Sequence, residues 1–123
     1  MIVDKPLRIG ATIRELLLSS PKVAGIVGRH IYPYITQEEI RHAHIVYDGL
    51  GVTFERVKDG EYPSEIALTL NCNTTDYLTG IELGEAVIDV FEDHQDIAVT
   101  YASCEYDGAN TYTHSITINI EVE

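Results

Sequence analysis

The strongest pattern lies near the end of the chain. Tyr112, His114, Ile116, Ile118, Ile120 and Val122 alternate strictly with Thr113, Ser115, Thr117, Asn119 and Glu121. A period of two over this length predicts a half-buried strand. The residues before it, 97–106, are rich in β-branched and aromatic side chains, and Asp107-Gly108-Ala109-Asn110 supplies the turn between them. The same alternation places Ile66, Leu68, Leu70 and Cys72 against Glu65, Ala67, Thr69 and Asn71. Upstream, His44-Ile45-Val46-Tyr47-Asp48 reads as a strand that is interrupted at Gly49-Leu50-Gly51 and resumes through residues 52–56. Asp59-Gly60 then marks a hairpin. Residues 30–34 are short and extended, and 35–42 form a polar excursion loop.

Two segments carry helical spacing. Ile9, Ile13, Leu16 and Leu17 recur at three and four positions within 6–19, with Asp4 as a cap and Pro6 in the first turn. Pro21 disfavours helical geometry at Ser20 and opens a short second turn through Val23, Ala24 and Ile26, broken by Gly25 and Gly28. The second main helix spans roughly 75–93, capped by Thr74 or Thr75. Ile81, Val87, Ile88 and Phe91 lie on one side, and Gly84 permits close approach to the sheet. Glu82, Glu85, Asp89 and Glu92 form an acidic face on the other side. The order is helix, strands, helix, strands. It predicts an α+β domain over residues 1–123, with an antiparallel sheet of about four strands and two main helices on one face. Ile13, Leu17, Leu68, Leu70, Ile88, Phe91, Ile116 and Ile118 are the expected core. There is no internal repeat, linker or low-complexity tract.

Composition adjusts this picture in a few places. A chain of 123 residues buries roughly two-thirds of the surface that it exposes when unfolded, which is enough for one core. Hydrophobic residues make up 45% and charged residues 23%, so disorder of the whole chain is excluded. Eight Lys and Arg against 20 Asp and Glu give a formal net charge of -12. With no cluster of cations, specific binding to duplex nucleic acid or to an anionic membrane is disfavoured. No segment has signal-peptide or membrane-spanning character. Cys72 and Cys104 are therefore expected as free, buried, apolar thiols in a reducing cytoplasm. The sequon at Asn73-Thr74-Thr75 is then fortuitous.

No catalytic constellation stands out. His42 and His44 share a strand face, but zinc needs three or four ligands and no other Cys or His is near in sequence. Cys72 falls on the apolar phase of its strand, so an inert thiol is expected and not a nucleophile. Gly49-Leu50-Gly51 lacks the further glycine and helix of a phosphate loop, so a bulge or bend explains it equally well. The acidic helix face has the spacing of a solvated surface. Neither an enzymatic activity nor a cofactor or metal is expected. Eight tyrosines against two phenylalanines and no tryptophan suit protein interfaces, and Tyr32, Tyr34, Tyr47 and Tyr62 fall near loops and strand ends.

Several of these segments recur together in a known family. The series is Ile13-Arg14-Glu15-Leu16-Leu17-Leu18, Val23-Ala24-Gly25-Ile26-Val27-Gly28, Arg29-His30-Ile31-Tyr32-Pro33, Ile45-Val46-Tyr47, and Ile66 through Cys72 leading into Asp76-Tyr77. In order and spacing it resembles the tail-completion-like proteins of long-tailed phages and prophages, which overlap in fold with tail terminators and tail-to-head joining proteins. The resemblance covers most of the chain. It implies a homo-oligomeric ring, hexameric by expectation, which completes the tail tube and meets the tail tube protein and a head-connector protein. It also implies assembly in the bacterial cytoplasm and residence in the virion tail. Tyr32, Tyr34, Glu38, Glu39, Tyr62, Ile118 and Ile120 are the candidate subunit contacts, and Glu82, Glu85, Asp89 and Glu92 the candidate acidic face. Ile116 to Val122 carries no proline and little charge, so it reads as an unprotected sheet edge open to a neighbour. The alternative is a small acidic adaptor or inhibitor that binds a basic protein. A third reading, a small hydrolase using Cys72 or a carboxylate pair, rests on the least. Solution mass separates a ring from an adaptor.

Overall fold

The computed structural model of the chain describes residues 5–34 and 42–122. After a single 3-10 turn at Pro6–Arg8 come helices α1 (Ile9–Leu18) and α2 (Pro21–Val27). Strands β1 (Ile31–Pro33), β2 (His44–Val57) and β3 (Gly60–Thr74) follow, then helix α3 (Tyr77–Glu92) and strands β4 (Ile97–Tyr106) and β5 (Tyr112–Glu121). The class is α+β, as expected. The sheet, however, has five strands in the order β1-β2-β3-β5-β4. The added strand, β1, runs parallel to β2 through three register pairs, Ile31 to Ile45, Tyr32 to Val46 and Pro33 to Tyr47. Three residues are too few to show a periodicity. All other pairings are antiparallel.

Among the described residues there are three α-helices where two main helices were expected. Gly25 does not break α2. Ser20 caps it by accepting from the Val23 amide, Pro21 occupies its first turn, and the helix ends at Gly28, where φ reaches 61°. That left-handed geometry suits glycine. The cap of α3 also differs from expectation. The Asp76 carboxylate accepts from the Thr79 amide at 2.9 Å and from its hydroxyl at 2.8 Å. Thr74 instead donates its hydroxyl to the Asp76 carbonyl. The Asp4 cap proposed for the first helix lies outside the described residues.

The core is a single layer between the helices and one sheet face. Ile13 and Leu17 of α1, Val23 and Val27 of α2, and Leu83, Val87 and Phe91 of α3 are buried. They meet Ile45, Ile66, Leu68, Leu70, Cys72, Ile116, Ile118 and Ile120 from the strands. Seven of the eight expected core residues are fully buried. Ile88 is the exception, half-buried at the rim. The reason is phase: the stripe of α3 that faces the sheet is Gly80, Leu83, Gly84, Val87 and Phe91, which turns Ile81 and Ile88 to its sides. The tight contact is also at Gly80 and not at Gly84. A Cβ on Gly80 would stand 2.7 Å from the His114 ring and 2.8 Å from the Thr74 hydroxyl, whereas one on Gly84 would meet only ordinary neighbours. At the other end of the layer, Gly10 of α1 lies against the Tyr47 ring. Arg14 ties the same helix to the β1 approach by donating to the carbonyls of Ile31 at 3.1 Å and Arg29 at 3.2 Å.

Strand β5 is not an edge. It pairs with β3 on one side and β4 on the other, so its freedom from proline and charge reflects a central position. The long open edge belongs to β4. Gly49-Leu50-Gly51 is a bulge: the β2–β3 register shifts between Asp48 and Gly51, with Gly49 at a φ of 65°.

Candidate functional site

Strands β2 and β3 overrun the rest of the sheet. β5 covers β3 only from Glu65 to Thr74, while β2 and β3 continue to pair from Phe54 with Pro63 to Val57 with Gly60. Residues 54–63 therefore form a two-stranded arm. Pro63 sits where β3 has no neighbour on its second side, the position at which a proline is tolerated. The arm exposes Phe54 at 55%, Val57 at 47% and Tyr62 at 40%. Arg56 and Lys58 lie beside them and are also exposed.

Glu82, Glu85, Asp89 and Glu92 are all exposed on α3. Three of them, Glu82, Glu85 and Asp89, line a groove of about 490 Å³ between α2 and α3, together with Pro21, Lys22, Gly25, Ile26 and Ala86.

The second sheet face carries no helix among the described residues. Its centre is built of uncharged polar side chains that bond to one another across the strands. Thr113 donates to Asn73 at 2.6 Å and Ser115 to Asn71 at 2.7 Å, while the hydroxyls of Thr69 and Thr117 are 3.2 Å apart. Asn71 also donates to the Val46 carbonyl.

The candidate subunit contacts are not brought together. Tyr32 is half-buried, with its hydroxyl 2.6 Å from His30 Nδ1. Tyr34 is 53% exposed at a left-handed φ of 60°, held by its amide donating to the Tyr47 carbonyl. Both belong to the β1 edge. Tyr62 is on the arm, where its hydroxyl donates to Glu55 at 2.7 Å; that bond and the nearby charge raise its pKa. Ile118 and Ile120 are fully buried and belong to the core, because β5 is central. Glu38 and Glu39 lie outside the described residues. Sequence reasoning missed a further cluster at the sheet end opposite the arm. There Tyr77 and Tyr106 pack on Tyr112 with ring centroids 5.5 and 4.6 Å away, and Leu78 is 66% exposed. Tyr106 and Tyr112 flank the β4–β5 turn, whereas Tyr77 and Leu78 open α3, and only the fold brings the two groups together.

Burial pushes the Cys72 thiol up to about 12, which disfavours its thiolate at neutral pH. Cys104 departs from its expected buried state and is exposed; it lies on the edge strand beyond the reach of the helices. His44 donates through Nδ1 to the His42 carbonyl, and the His42 ring stacks on His30 at 5.1 Å, so the two imidazoles do not turn to a common point. Among the described residues, no three His, Cys, Asp or Glu side chains come together in a way that could hold a metal. No helix among them is long and apolar enough to cross a membrane.

His114 lies beneath Gly80, its Nδ1 buried without a partner, and burial lowers its pKa. The folded state thus disfavours the imidazolium relative to the unfolded chain. Stability is full above the ordinary histidine pKa of about 6.5 and falls as the pH drops below it toward the lower folded value. Urea midpoints measured from pH 8 to pH 5 should show that fall in the wild type and a shallower one in His114→Gln. Equal slopes would contradict the assignment.

No family profile matches the sequence, and no curated protein does. The fold, by contrast, is similar to that of a chain in the virion of a native gene transfer agent (GTA) particle, with a TM-score of 0.77 at 15% sequence identity. The match covers 94% of this chain and 94% of that one. What the two chains share, over nearly their whole lengths, is the fold.

Proposed function

We propose that the protein is a structural subunit of a phage or prophage tail, which forms a ring that completes or terminates the tail tube and joins it to the head side. In this reading it works by assembly and not by catalysis. It is made in the bacterial cytoplasm and ends in the virion. Its partners are further copies of itself, with a hexamer as the closed form, the tail tube protein and a head-connector protein. The observation that carries the reading is the whole-length likeness of fold to a GTA virion chain. The family resemblance of the sequence points to the same class of particle.

The surfaces suit such a role. A ring needs a contact that uses different patches on its two sides, and the arm, the α2–α3 groove and the tyrosine cluster are unlike one another. An acidic wall beside a DNA channel repels the duplex and lets it slide, which gives the exposed carboxylates of α3 a use that needs no ligand. A subunit of charge -12 repels its own copies, so the free chain is expected to be a monomer until the tail tube templates it. Sedimentation at low and moderate salt, with and without tail tube protein, is the test. The expected result is a ring-sized species on mixing, or at moderate salt alone. A chain that stays monomeric throughout and binds neither tail tube nor head connector would end this reading and favour an acidic adaptor for a basic protein.

A further inference from the structure

We infer that the arm of one subunit docks in the α2–α3 groove of a second copy of this chain, with Phe54 on the groove floor and Arg56 and Lys58 against its acidic wall. The inference rests on the assembly reading above and names its contact.

Three observations carry it. The first is the arm itself. A two-stranded ribbon that leaves its sheet has no core of its own and is at best marginally stable in water. This one nevertheless holds Phe54, Val57 and Tyr62 in solvent. Strand alternation puts Phe54 and Arg56 on one side of the ribbon, so the ring and the guanidinium enter a partner together. The second is the groove. Pro21, Ile26 and Ala86 give it an apolar floor, while Glu82, Glu85 and Asp89 stand along one wall. The third is charge. In a chain with 8 Lys and Arg, two of them, Arg56 and Lys58, sit within three residues near the tip of the ribbon, interleaved with Glu55, Asp59 and Glu61, the last of which is 3.9 Å from Arg56. The groove offers three carboxylates to the single cation Lys22. Like copies of so acidic a chain should repel each other, and in this contact Lys58, and Arg56 on turning from Glu61, meet the carboxylates of the groove. The contact is heterologous: each copy gives an arm and receives one, so it propagates and closes into a ring if the rotation allows. One such contact is small, which agrees with a free monomer, and ring closure adds the avidity that a single contact lacks.

The test uses the full chain with Cys104→Ser as background, since that thiol is exposed. Lys58→Cys and Glu85→Cys are made singly and together and oxidised at high protein concentration. The double variant should give a ladder of multimers. An equimolar mixture of the two single variants should give heterodimers and nothing larger, and each single variant alone should stay monomeric. In parallel, Arg56→Glu with Lys58→Glu should weaken self-association by about tenfold or more, as close interfacial charge pairs do. Glu85→Lys with Asp89→Lys in the same chain should restore it. Each single variant forming homodimers as readily as the mixture forms heterodimers would overturn the inference. So would rings that form with undiminished affinity after the charge reversal, or cross-links from the arm to a cysteine placed at Tyr77 in place of Glu85. In all three outcomes the wild type still assembles, and the tail reading stands. Failure of the wild type to associate with itself, the tail tube or the connector would take both down.

Discussion

Ile118→Asp should leave the chain unfolded or barely folded. Ile118 is fully buried, opposite Leu68 on one side and Val99 on the other. An aspartate there must either ionise without a partner or take up a proton, and either way the loss is several kcal/mol. A domain of this size has roughly 5–15 kcal/mol in total. The measurement is circular dichroism of the purified variant, with a urea titration if it is folded. The result also separates two roles for the residue. An interface position would tolerate aspartate in the free subunit and lose only assembly, so a folded, monomeric Ile118→Asp with wild-type stability would return β5 to the surface.

Phe91→Ala should lower stability by about 3–5 kcal/mol. Phe91 is the largest of the fully buried side chains and stands in the last turn of α3, where the helix layer meets the sheet. Removing the ring takes away its transfer energy and leaves a void that close-packed neighbours fill only in part. The melting temperature should drop on the order of 10–20 °C for a chain this long, with an unchanged denaturant slope. A loss below about 1 kcal/mol would mean that the ring is not in the core. The same change at Ile88, which is half-buried, should be much milder, and the contrast between the two checks the phase of α3.

The long elements were legible because burial on one face imposes a period. Ile116, Ile118 and Ile120 alternate, and Ile13 and Leu17 recur one turn apart, so strand and helix could both be named and their inner faces chosen. Pairing order is a different matter. Alternation says that Ile118 faces inward but not which strand lies beside it, so an inner strand was taken for an edge. Residues 30–34 read as extended, but the place of β1 in the sheet was missed because three residues carry no period and because its partner is found only in space. On α3, Ile81 and Ile88 are as apolar as Leu83 and Val87, and the choice between the two stripes is made by Gly80, which lets the helix come down on His114. The site divides the same way. The acidic face could be read from spacing along one helix. The groove depends on how α2 meets α3, and the tyrosine cluster on how the start of α3 meets the β4–β5 hairpin. The hydrophobic character of the arm was visible in Phe54, Val57 and Tyr62, but it gains meaning only once β5 is seen to stop short of them.

The two broad faces of the molecule differ in how their polar groups interact. On the helix side, Glu82, Glu85, Asp89 and Glu92 repel one another through exposed charge, which fades as counter-ions are added. On the open side of the sheet, the Asn71–Ser115, Asn73–Thr113 and Thr69–Thr117 pairs are neutral dipoles at contact distance. Neither ionic strength nor moderate acid alters them. A change in ionic strength therefore retunes one side of the molecule and leaves the other as it was, which makes the helix side its tunable half and the sheet its fixed frame.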